Sequence, residues 1–181
     1  MVYSYALNRR HSAYSFATSA VRIGTIMGMH LNIPDYQFRD RKAREHRIRI
    51  WWTAYIMDRT CASKLGLPVS IQDDDIQVDL PSSEALGDES QDDFGDAEYI
   101  LRNIELAKLS AHSIGSIYSR RKHRSPFSQR VQLSLKDLTK WVESLPPHLQ
   151  LGESGGGSAS PNNIVYLHLT FNQASIFPRV I

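Results

Sequence analysis

Apolar residues recur at helical spacing in five stretches of the chain, and no stretch sustains the alternation of a half-buried strand. The first stretch predicts a helix from about His11 to His30. Phe16, Ala20, Ile23 and Met27 follow one another at four, three and four residues, which puts them on one face. Ala13, Ala17, Gly24 and Gly28 supply small positions that would let a second helix approach closely. Asn32-Ile33-Pro34-Asp35 reads as the stop, because the residue before a proline avoids the helical region.

A second helix is predicted from Asp40 to about Lys64. It begins with Arg41, Lys42, Arg44, Glu45, Arg47 and Arg49, then turns apolar and aromatic through Trp51, Trp52, Tyr55, Ile56 and Met57. Ile48, Trp52, Tyr55 and Arg59 share a face, and Gly66 and Pro68 end the element. Residues 69–98 read as a long, irregular acidic loop, with Val69, Ile71, Ile76, Val78 and Leu80 as apolar anchors and Pro81, Gly87 and Gly95 as breakers.

A third helix runs from Asp96 to Tyr118, with Ile100, Ile104, Ala107, Ala111, Ile114 and Ile117 at helical spacing. A fourth covers Gln129 to Ser144, with Leu135, Leu138, Val142 and Leu145 facing inward and Pro146-Pro147 closing it. Residues 152–163, rich in Gly and Ser, have the composition of a flexible linker. A last helix from Ile164 to about Phe177 carries Leu167, Leu169, Phe171 and Ile176. The expected fold is all-α: an irregular multi-helix bundle with a long acidic loop.

The chain has 181 residues, enough for one ordinary domain or part of a larger one. Hydrophobic residues make up 41% and charged residues 22%, the balance of a globular chain. No apolar run reaches the roughly 18–20 residues of a membrane-spanning helix, and the first ten residues lack a secretory pattern. Cys61 is the only cysteine, so a disulfide framework and a cysteine-based zinc cluster are both excluded within this chain. The net charge of +2 conceals an asymmetry: Asp73 to Glu98 holds eleven acids and no Lys or Arg. A solvated loop beside ordinary helix surfaces accounts for this, and a basic surface for an anionic partner stays open.

Candidate chemistry is sparse. None of the seven histidines pairs at the i,i+4 spacing of a shared metal, and Asp73-Asp74-Asp75 lacks the EF-hand pattern, which leaves solvated or helix-capping acids. Gly155-Gly156-Gly157-Ser158 is followed by Ala159-Ser160-Pro161 rather than Lys and Ser/Thr opening a helix, so it is no phosphate loop. No G-x-S-x-G elbow occurs, and Cys61 lies within a helix among apolar neighbours. The run Arg120 to Arg124 reads as a helix C-terminus, with a nuclear-import or nucleic-acid patch as its alternative. No residue is assigned a catalytic, metal-binding or DNA-binding role, and an enzyme is not expected.

The segment from Glu45 to Pro81 stands out. Trp51, Trp52 and Tyr55 supply large surfaces for a core. A buried Asp58 or Arg59 would need a partner; Arg47, Arg49 and Arg59 are candidates, or would stack on the indoles. The order Glu45, Arg47, Arg49, Trp51, Trp52, Tyr55, Asp58, Arg59, Gly66, Pro68, Asp75, Ile76, Val78, Leu80, Pro81 resembles the fungal-specific transcription factor domain, the middle homology region of fungal zinc-cluster transcription factors. Upstream, Arg10, Ala13, Ala20, Val21, Arg22, Gly28, Met29 and His30 are similar to a family helix, and downstream so are Trp141, Leu145-Pro146 and the helix from Leu167 to Arg179. Leu67 replaces the Arg of a family Gly-Arg-Pro, Ile48 an Arg, and Ala62 a common Ser.

This resemblance implies residues 1–181 as a partial regulatory domain, incomplete relative to the family, with Arg47, Arg49, Trp51, Trp52, Tyr55, Asp58, Arg59, Gly66 and Pro68 as the structural core of the motif. It implies regulation of RNA polymerase II transcription in a fungal nucleus. DNA and zinc would be bound by a six-cysteine region of the parent that lies outside this chain, so no cofactor is expected here. The partners it implies are co-regulators or the transcription machinery and a small-molecule effector. Self-association through uncovered apolar faces is expected as well. A stand-alone truncated helical protein, acting through protein or small-ligand contacts, is the alternative.

Overall fold

Small residues, not large ones, decide how the first helix sits. In the computed structural model, which describes residues 7–34, 36, 37, 39–83, 94–118, 125–151 and 160–176, helix α1 (Arg10–Ile26) buries Ala13, Ala17, Val21 and Gly24. The apolar set Phe16, Ala20, Ile23 and Met27 faces solvent, with Phe16, Ile23 and Met27 each more than half exposed. The reason is close approach. A Cβ at Gly24 would lie 3.2 Å from the Trp51 ring, so the glycine makes the notch into which the indole fits. Helix α1 also stops earlier than the Asn-Ile-Pro signal suggests. Gly28 takes a positive φ of 67°, with Met29 N donating to Gly24 O and Gly28 N to Thr25 O, which is a Schellman end.

Helix α2 (Arg41–Leu65) is capped as its sequence predicts. The Asp40 carboxylate accepts from Lys42 N at 2.9 Å and Ala43 N at 3.2 Å. Gly66, at φ 63°, ends it with a second Schellman arrangement through Leu67 N to Ala62 O. Ala13 and Ala17 pack on Cys61 near the end of α2, and Gly24 packs on Trp51 nearer its start, so the two helices run antiparallel.

Helix α3 (Ala97–Tyr118) lies against α2, and α4 (Phe127–Glu143) against α3. Helix α5 (Pro161–Ile176) touches both α3 and α4. Proline at its first position and Ser160 Oγ accepting from Asn163 N set its start within the segment 152–163 expected to be linker; residues 152–159 lie outside the described residues. Two one-turn 3-10 helices, Asp73–Asp75 and Pro147–Leu149, complete the elements. The fold is all-α, with no strand among the described residues.

Two cores result. Trp51, Trp52, Tyr55, Val21, Ile48 and Ile104 join α1, α2 and α3. Leu106, Leu138, Trp141, Leu149 and Leu167 join α3, α4 and α5. Trp141 stacks on Phe171 at 5.7 Å between ring centroids. Leu169 and Ile176, which share α5 with the fully buried Leu167, are exposed.

Candidate functional site

The start of the acidic loop is a strap, residues 68–83, laid back along α2 and held there by polar side chains of that helix. Asp58 is wholly buried, and its carboxylate accepts from Ser70 N at 2.9 Å and from the Ser70 hydroxyl. Arg59, 2% exposed, donates to Ile71 O at 3.0 Å and to the half-exposed Asp73 carboxylate. The Tyr55 hydroxyl donates to the same Asp73 oxygen at 2.7 Å, and the Arg59 guanidinium lies 3.5 Å from the centre of the Tyr55 ring. Trp52 Nε1 donates to Asp79 O at 2.8 Å. Glu45 accepts from Ser82 N at 3.1 Å and from Arg49 Nε at 2.6 Å. As the strap advances from residue 70 to 82, its partners on α2 retreat from 58 to 45, so the two run antiparallel.

The outer side of the strap is held by the α1–α2 turn. His30 O accepts from Gln77 N at 2.8 Å and Val78 N at 2.9 Å. Asn32 and Asp79 are paired reciprocally, Asn32 Nδ2 donating to the Asp79 carboxylate and Asp79 N to Asn32 Oδ1. Such pairing satisfies backbone groups that a strap without a sheet would otherwise leave to solvent.

The motif residues therefore divide their work. Trp52, Tyr55, Asp58 and Arg59 hold the strap. Trp51 faces the other way, into the Gly24 notch, with the His30 ring at 5.8 Å. Arg47 donates to Gly28 O and fixes the α1 terminus, while Arg49 reaches Gly95 O and stands 5.1 Å from the Phe94 ring. Gly66 turns the chain into the strap, and Pro68 O accepts from Tyr14 OH at 2.9 Å.

Three expectations change. The partner of Asp58 is Ser70, not an arginine, and Arg59 stacks on a phenol rather than an indole. Asp73 is no simple solvated acid, because it takes both Tyr55 and Arg59. Ser70, Asn32, Asp79 and Ser82 were not singled out from the sequence; their contributions are backbone groups or short polar side chains, which carry no periodic signal.

Burial sets the ionisable groups. It pushes the Tyr55 phenol far up, with Arg59 pulling the other way. It raises the Cys61 thiol, assisted by the negative Asp58, so that thiol is inert. It lowers Lys64 to about 8. Beside the strap, between the C-terminal parts of α2 and α3 and the face of α4, lies an open groove of about 870 Å³ lined in part by Arg59, Gln72, Asp73, Lys108, His112 and Arg130. Among the described residues no cluster of three or more His, Cys, Asp or Glu is placed to hold a metal, and no helix is long and apolar enough to cross a membrane. The basic run Arg120 to Arg124 and the triple glycine fall outside the described residues.

A family model described as the fungal specific transcription factor domain matches residues 1–150. The chain is 26% identical over 165 residues to an uncharacterized transcriptional regulatory protein of Schizosaccharomyces pombe, covering 91% of this chain and 21% of that one. It is 26% identical over 147 residues to the negative regulator of pleiotropic drug resistance STB5 of Candida glabrata, covering 80% of this chain and 14% of that one. It is 27% identical over 164 residues to the acetamidase regulatory protein of Aspergillus oryzae, covering 89% and 20%. The chain thus spans about a fifth of the length of such relatives. No solved structure matches it.

Proposed function

The chain belongs to the fungal specific transcription factor domain family, and from that premise we propose that it is the regulatory core of a zinc-cluster regulator of RNA polymerase II transcription, acting in the nucleus. In this reading DNA contact and zinc belong to a separate N-terminal region of the parent. The chain itself meets co-regulators or the transcription machinery and performs no catalysis.

The observation that carries the reading is the strap. Its hold on α2 combines polar and ionic bonds with the packing of Val78, Ile71 and Ile76 on the core, and a segment fastened at such discrete contacts has made and broken states between which a partner or effector can choose. The groove offers the means. Its volume falls within the ~300–1,000 Å³ of small-molecule sites, and Arg59 and Asp73, which hold the strap, line it. Arg59 Nη1 is buried without a hydrogen-bond partner among the described residues. An effector bound there would favour one strap state by its difference in affinity for the two.

The test is a fusion of the chain to an unrelated DNA-binding domain and an unrelated activator, read on a reporter in a fungal cell. Reporter output is expected to differ from that of the fusion without the chain. Asp73→Asn and Arg59→Met should move it toward that control at equal protein level. Identical output with and without the folded chain overturns the proposal.

A further inference from the structure

The face of α1 turned away from α2 carries a run of large exposed apolar residues. Phe16 is 55% exposed, Ile23 57%, Met27 64% and Ile26 80%. With the exposed Ala20 between them, Phe16, Ile23 and Met27 recur at the spacing that seats one helix against another. The stripe is not a consequence of poor packing by α1, since the neighbouring face buries Ala13, Ala17, Val21 and Gly24 on α2. A soluble helix that already has a core face needs no second apolar one, and exposed stripes of this kind mark interaction sites.

Charge identifies the occupant. From Leu7 to Pro34 the chain contains no Asp or Glu. Arg9 lies seven residues before Phe16 and so on the line of the stripe, and Arg22 stands beside Ile23; both are exposed. At the other end Arg47 is fixed to Gly28 O, one residue beyond Met27. Within residues 7–34 every formal charge is thus positive. A second copy of α1 would bring arginines against arginines, which disfavours self-pairing.

The geometry points to the α1 stripe as the docking site for an acidic amphipathic helix of a partner protein, its apolar residues laid on Phe16, Ile23 and Met27 and its carboxylates paired with Arg9, Arg22 and Arg47. The inference rests on α1 and on Arg47 of α2 beside its end, and holds whatever the parent regulates.

The test uses the whole chain and two labelled synthetic helices of equal length. Both carry Leu at the same four-three-four spacing; one is flanked by Glu and the other by Lys. Fluorescence anisotropy is expected to show binding of the Glu helix, weakening with added salt, and none of the Lys helix. The double variant Phe16→Ser, Ile23→Ser should lose ~10-fold or more of the affinity, as expected when two apolar anchors are removed. Arg22→Glu should weaken binding with the apolar residues intact. Unchanged thermal melting shows that each variant is folded, since all three residues are exposed. Equal binding of both helices, binding indifferent to the variants, or no binding of the Glu helix overturns the inference. So does a dimer of the chain that Ile23→Ser dissociates, which would make a second copy the occupant.

Discussion

Asp58 and Ser70, twelve residues apart, are joined twice: the serine amide donates at 2.9 Å to one carboxylate oxygen and its hydroxyl donates to the other. With Asp58 wholly buried, that one serine answers for both oxygens of the charge. Replacing Asp58 by Ala strands the Ser70 amide and frees the strap at its root, at a cost of about 3 kcal/mol. Ser70→Ala keeps the amide bond and should cost about 1–2 kcal/mol. Urea denaturation measures both, and equal midpoints for Asp58→Ala and the parent chain would refute the placement.

Trp52 combines core volume with one directed bond, since it is 3% exposed and its Nε1 holds Asp79 O. Trp52→Ala is expected to cost ~3–5 kcal/mol, the range for a large core aromatic. Trp52→Phe keeps much of the volume and loses the bond, so about 1–2 kcal/mol is expected. Equal losses for the two variants would show that the bond rather than the volume carries the effect, and an unchanged Trp52→Phe would show that the bond contributes nothing.

Two helical glycines should answer in opposite directions when each is given a side chain. Gly115, within α3, has open space where a Cβ would stand, so Gly115→Ala should stabilise by about 0.5–1 kcal/mol through helix propensity. At Gly24 the Trp51 ring, 1% exposed and unable to retreat, offsets that gain. Gly24→Val should therefore destabilise by about 1–3 kcal/mol. Thermal melting of the pair decides whether close approach, rather than propensity, placed the first glycine.

Lys64 gives a pH signature. Burial lowers its folded value to about 8 from 10.5, so between those values the unfolded chain binds more protons than the folded one. Stability then rises with pH across that window. Tyr55, raised by burial, works the other way only above its unfolded value of 10.0. The melting temperature of Lys64→Met should exceed that of the parent chain at neutral pH, and the gap should narrow toward pH 10. A constant gap would contradict the burial of the ammonium.

The helices were legible because their signals are local. Asp40, Gly66 and the shared face of Ile48, Trp52, Tyr55 and Arg59 can each be read within a turn or two. The inner face of α1 was legible in part: Ala13, Ala17 and Gly24 read as places of close approach and do the packing, but the large apolar residues Phe16, Ile23 and Met27 dominate the hydrophobic pattern and face solvent. Glycine in a helix reads as a weakness unless the indole that fills its notch is known, and that indole lies 27 residues further on. The strap contacts were hidden for a related reason: Ser70, Asp79 and Ser82 take part largely through backbone atoms, which every residue has.

The hydrogen bonds between strap and α2 link residues 12, 14, 18, 27 and 37 apart in order of distance from Gly66. They behave as the teeth of a zipper. Each closed pair shortens the loop the next must close, and closure entropy rises with loop length, so assembly runs outward from the glycine. Opening runs the other way, beginning at Glu45 and Ser82 and ending at Asp58 and Ser70. Amide hydrogen exchange should therefore be faster at Ser82 than at Ser70, with Asp73 between the two ends as the point where partial opening passes into full release.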